Sequence, residues 1–97
     1  MITLIATLKI KEGKMEEAIN ALKEIVPKIK LSEPGCLEYI PHTVRGDENT
    51  IIIYEKYSDK DALKLHSTNL MKNIEKLLPL LEPGMDVKTC YEIIQSP

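Results

Sequence analysis

Phenylalanine and tryptophan are both absent, and four tyrosines make up the whole aromatic content, 4% of the chain. A core without large rings must be built from aliphatic side chains, and 97 residues supply only one thin core. Such a core gains from burying further surface in an oligomer. Arginine is almost absent too. Arg45 stands alone beside a Gly-Asp turn, so no guanidinium cluster can form within one chain. With a net charge of −2 and no basic stripe, binding to a phosphate backbone is excluded and no nucleic-acid partner is expected. Two cysteines, Cys36 and Cys90, are too few for a disulfide framework and lack the spacing of a zinc site. No apolar run reaches the ~18 residues of a membrane span, and Met1 leads into ITLIATLKI without a basic leader. The expectation is one cytoplasmic domain over residues 1–97, with no membrane partner and no metal.

What is present is clear periodicity. Residues 2 to 10 alternate, with Ile2, Leu4, Ala6, Leu8 and Ile10 on one face, which predicts a strand. After a Lys-Glu-Gly-Lys turn, Met15, Ala18, Ile19, Leu22, Ile25, Val26 and Ile29 recur at helical spacing. Pro27 falls inside that stripe, where it removes one backbone hydrogen bond. Glu33-Pro34-Gly35 stops the helix. CLEYIPHTV (36–44) reads as a second strand, and its Pro41 places it at a sheet edge or a bulge. A turn at 45–49 leads into TIIIYEKY (50–57), the most strand-like run in the chain.

Ser58 to Asp61 supply a helix cap and an acidic first turn. Ala62, Leu63 and His66 continue at helical spacing, and Ser67-Thr68-Asn69 is expected to interrupt the helix. Leu70, Ile74, Leu77, Leu78 and Leu81 complete the stripe until a second Glu-Pro-Gly, 82–84. Residues 85 to 94 form the fourth strand, with Met85, Val87, Thr89, Tyr91 and Ile93 on one face. The same tripeptide thus marks the joint from helix to strand in each half. The order is βαββαβ: an α+β, ferredoxin-like fold with an antiparallel four-stranded sheet, strand order 4-1-3-2. Strands two and four then lie on opposite edges, too far apart for a Cys36–Cys90 disulfide.

The fold by itself names no function. An RNA-recognition module needs aromatics on the central strands in basic surroundings, which are missing. A metallochaperone needs Cys-x-x-Cys after the first strand, and an acylphosphatase-like site needs an Arg and a glycine-rich loop there. KIKEGK offers neither.

Three stretches carry a resemblance: Lys11-Glu12-Gly13-Lys14, Glu33-Pro34-Gly35-Cys36-Leu37-Glu38-Tyr39, and the run from Tyr54-Glu55-Lys56-Tyr57 through Ala62-Leu63 to His66. In this order they resemble the antibiotic biosynthesis monooxygenase family, small dimeric α+β barrels that include quinol monooxygenases and heme-degrading enzymes. The chain departs from that pattern in three places. Tyr57 stands at the family's Trp position, and Leu70 and Met71 occupy the place of a second His. Ala6, which offers no hydrogen bond, lies where heme-degrading members use an Asn, and this argues against heme degradation.

The resemblance implies a homodimer of face-to-face sheets, and Ile5 and its strand neighbours supply an apolar outer face. It also implies oxidation of a small quinol-like aromatic by O2 without metal or flavin cofactor. His66 is the candidate base, because an unperturbed histidine titrates near physiological pH. Leu63, Leu70 and Met71 are expected to wall an apolar pocket, with Tyr39 and Tyr57 against a flat ring and Glu55 as partner to His66. Two other readings stay open: an isomerase of a small oxygenated metabolite, and a non-catalytic binding or assembly module whose pocket is filled core. In that last case His66 is a core histidine satisfied by a backbone carbonyl.

Overall fold

The computed structural model describes residues 1–94; the last three residues of the expected domain, 95–97, lie outside the described residues. The elements run β1 (Ile2–Lys9), α1 (Met15–Ser32), β2 (Cys36–Val44), β3 (Asp47–Tyr57), α2 (Lys60–Asn73), a 3-10 turn (Leu78–Leu80) and β4 (Asp86–Tyr91). They form one antiparallel sheet in the order β2-β3-β1-β4, the topology read from the sequence. β2 and β4 are the two edges, and both cysteines are free thiols. No helix among the described residues is long and apolar enough to cross a membrane.

Alternation decides the faces. Ile2, Leu4, Ala6 and Leu8 of β1 and Ile51, Ile53, Glu55 and Tyr57 of β3 point to the helix side and are buried. α1 lays Ala18, Leu22, Ile25 and Ile29 on that face, as its stripe requires. Pro27 is accommodated: it is exposed, and α1 runs through it to Ser32. The opposite face carries Ile5, Ile52 and Tyr54 at its centre, half-buried, with no helix over it.

Four features differ from the sequence pattern. Ser67-Thr68-Asn69 does not break α2, which runs unbroken to Asn73. Thr68 Oγ1 donates to the Lys64 carbonyl (3.0 Å), so its hydroxyl joins the helix instead of competing with it. The stripe from Leu70 to Leu81 is not one helix either. α2 ends nine residues before Glu82, and Ile74 and Leu77 are buried from the turn between α2 and the 3-10 segment. β3 starts at Asp47, leaving only Arg45-Gly46 as the hairpin loop, with Gly46 at φ 82°. β4 is shorter than expected, and Met85 and Ile93 fall outside it.

The two Glu-Pro-Gly copies do different work. Gly84 has φ 96°, a conformation that needs glycine. Gly35 has no such φ but lies under α2, where a Cβ would sit 2.5 Å from the Ala62 Cβ and 3.1 Å from the Ser58 hydroxyl. Its carbonyl accepts from the Ser58 N–H (2.9 Å), tying the loop to the entry of α2.

Candidate active site

His66 is the one fully buried residue of α2, 4% exposed. A helix whose most buried side chain is a histidine is not held by apolar packing alone, and the partners of that ring are charged. Its Nδ1–H donates to Glu33 Oε1 at 2.9 Å. The other Glu33 oxygen accepts from Asn73 Nδ2, 3.0 Å away and about two helix turns beyond His66. A carboxylate can only accept, so with Glu33 ionised the imidazole proton sits on Nδ1 and Nε2 is left as the reactive nitrogen. Nε2 lies 3.4 Å from Glu55 Oε1. That same oxygen accepts from the Tyr57 hydroxyl at 2.6 Å.

Each carboxylate is placed by its element. Glu55 shares a strand face with Ile51, Ile53 and Tyr57 and pairs across to Leu4 on one side and Tyr39 on the other. Glu33 caps α1, its N–H bonded to the Ile29 carbonyl (2.8 Å), while its own carbonyl accepts from the Cys36 N–H (2.9 Å). The close approach at Gly35 then brings α2 down over it. The result is a line, Asn73–Glu33–His66–Glu55–Tyr57, built from three elements: the α1 cap, α2 and β3. Every buried side-chain polar atom among the described residues has a partner, as burial of such groups demands.

Burial pushes the Glu55 carboxyl up; the Tyr57 hydrogen bond and the nearby imidazole pull it down by less. Tyr57 is pushed far above the ordinary phenol range, first by burial and then by Glu55, so it stays a neutral donor. Tyr39 is raised by burial and by Glu55 in the same sense. Cys36, beside this cluster, is pushed up to about 11 by burial and by Glu33, so it is a thiol at neutral pH and not a nucleophile.

Beside His66 and Glu55 opens a cavity of about 210 Å³ between the sheet and α2. Leu4, Ala6 and Leu8 of β1, Ile53 of β3 and Leu63 and Leu70 of α2 make apolar walls; Tyr39, Ser67 and Thr89 add hydroxyls. Val87, 48% exposed on β4, marks a side open to solvent. A larger groove of about 480 Å³ lies between α1 and the edge strand β2, past Val26, Pro27 and exposed His42. It holds no acid–base cluster, so size does not make it the better candidate.

Of the residues expected at the site, His66, Glu55, Tyr39, Leu63 and Leu70 line the cavity together. Tyr57 does not: it is wholly buried behind Glu55, with its ring 5.0 Å from that of His66. Met71 lies off the cavity at 63% exposure, because the unbroken helix turns it outward. Asn73, not Ser67, ends α2, so His66 lies in mid-helix and not at its C-terminus. Glu33 and Asn73 were missed. Glu33 sits beyond the helical period in a stop signal, and its counterpart Glu82 is exposed, so the repeat itself hid it. Glu55 had a signal in its parity with Ile51 and Ile53.

Known proteins agree with this architecture. The antibiotic biosynthesis monooxygenase family model matches residues 1–70, and the chain belongs to that family. The Bacillus subtilis protein named "Putative monooxygenase YcnE" is 34% identical over 89 residues, covering 90% of this chain and 93% of its own. A Caulobacter crescentus "putative antibiotic biosynthesis monooxygenase" of known structure superposes with a TM-score of 0.86 at 25% identity, over 96% of this chain and 90% of that one. A Shewanella oneidensis protein does so at 0.81 and 28%, over 94% and 89%. The two solved structures share the βαββαβ fold described above, and two of the three proteins carry monooxygenase in their names.

Proposed function

We propose that the protein is a monooxygenase that oxidises a small quinol-like aromatic with O2, needing no metal or flavin, with His66 as general base. The observation that carries this reading is an open, largely apolar cavity with the His66–Glu55 pair on its wall. Nε2 takes a phenolic proton from the bound ring. Glu33, bonded to Nδ1, holds the ring in place and balances the charge of the imidazolium that forms. The resulting phenolate is electron-rich enough to pass one electron to O2, giving superoxide and a ring radical. Where the substrate bears a CH2 in its keto form, recombination at that carbon and loss of water leave one oxygen atom in the product and one in water. Leu63, Leu70 and the β1 side chains exclude water and admit O2. Tyr39, kept protonated, donates to a substrate oxygen.

The filled-core alternative called for a plugged pocket and a histidine bonded to a backbone carbonyl. An open cavity and two carboxylate partners favour an enzyme instead. The homodimer belongs to the same proposal: Ile5, Ile52 and Tyr54, with Ile40 (40% exposed) beside them, suit a second sheet packed face to face.

The test is oxygen uptake by metal-stripped protein with a panel of hydroquinones and anthrols. His66→Ala should cut the rate by ~100-fold or more, the usual worth of a general base. Uptake no faster than a protein-free blank across the panel rejects the oxidation reading.

A further inference from the structure

Glu33 and Glu55 are 1% and 3% exposed, and one imidazole lies between them. Glu33 meets His66 Nδ1 at one oxygen and accepts from Asn73 at the other. With Glu33 ionised, the trio has a net charge of zero or below: a protonated His66 offsets one carboxylate at most. None of the described residues lining the cavity is a lysine or arginine, and the remainder of the wall is aliphatic or hydroxylic. A ligand carboxylate or phosphate would be stripped of water here and would meet no cation.

We infer that the cavity selects against anions, and that its ligand is a small hydroxylated ring without a carboxylate or phosphate. The inference rests on the proposal that this cavity holds the substrate. The phenolate of the reaction is a different case, because the imidazolium that balances it forms in the same step. A second, permanent negative charge has no such partner on the cavity wall. The cavity volume of about 210 Å³ also lies below the ~300–1,000 Å³ of drug-sized sites, which points to one ring over three. Phosphorylated metabolites are excluded by the same argument, which narrows the isomerase alternative as well.

Gentisamide and gentisate test this directly, since they share a ring and both hydroxyls and differ by one charge. Calorimetric titration of metal-stripped protein under argon at neutral pH should find the amide bound on the order of tenfold tighter or more. Ser67 is exposed and lines the cavity, so Ser67→Lys places a cation on the wall without disturbing the core. It should raise gentisate affinity until the preference for the amide is lost. Gentisate binding as tightly as the amide to the unaltered protein overturns the inference. So does an amide that fails to bind, or a Ser67→Lys protein that folds but keeps the preference. Oxygen uptake is read separately: an amide that binds by charge selection while the whole hydroquinone and anthrol panel stays at the blank rate overturns the oxidation reading and leaves the selection standing.

Discussion

His66 owes its place to charge, not to the leucines around it. Its two carboxylates come from positions 33 residues before it and 11 before it, on a helix cap and a strand. Removing one partner of such a buried pair strands the others. Glu33→Ala should therefore destabilise the fold by about 3–5 kcal/mol, measured by urea unfolding, with Glu33→Gln clearly milder. Glu55 behaves differently. Its folded-state carboxyl is held above the ordinary 4.5 mainly by burial, so between the two values the native state binds more protons than the unfolded one. Its stabilising contribution is complete below the ordinary value and is lost as pH rises through the folded one. Glu55→Gln cannot ionise, so its Tm should gain on the parent as pH rises from about 4 to about 8. A thermal-unfolding series across buffers checks this, and a gain that shrinks with pH contradicts it.

At the scale of elements, the site depends on how closely α2 approaches the loop after α1. That approach is permitted by Gly35, whose missing Cβ leaves room for Ala62, and is fastened by the Ser58 N–H and by the Asp59 cap on the Ala62 N–H. Gly35→Ala should cost about 1–3 kcal/mol by overpacking, since the nearest atoms belong to a helix and not to a flexible tip. Because the same shift lifts His66 from Glu33, activity should fall further than stability does. Unfolding curves and initial rates on the same sample separate the two. An alanine that leaves both unchanged would show that α2 adjusts freely. The position of β2 was legible from Pro41 alone, which sits in register opposite Ile53 on the edge strand without disrupting the ladder there.

At the scale of the whole molecule, one sheet face is covered and the other is not. Two helices bury one side around Ile51, Ile53 and their neighbours. The outer side presents Ile5, Ile52 and Tyr54, ringed by Lys56, Glu38 and Lys88. A core this short of aromatics gains most by burying that patch. The protein should sediment at twice the 11.0 kDa of one chain, and Tyr54→Glu, which puts a charge at the patch centre, should give a folded monomer. A parent that sediments as a monomer removes the dimer from the proposal.

Much of this protein was determined by sequence alone, through interactions that are local or periodic. Alternation set the strand faces, the i, i+3, i+4 stripe set α1, and proline and glycine set the joints and the edge strand. Those features together specify the βαββαβ order, and His66 was identifiable among them as a polar residue on an inward stripe. Where α2 ends was decided by tertiary structure, because the hydroxyls of Ser67 and Thr68 can serve either a break or a helix. The roles of Glu33, Asn73 and Tyr57 were decided there too. They meet only when a helix cap, a strand and a second helix are brought to one point, and no period in the chain relates residues so far apart. The charge of the cavity follows from that meeting, and it is the property on which the choice of ligand depends.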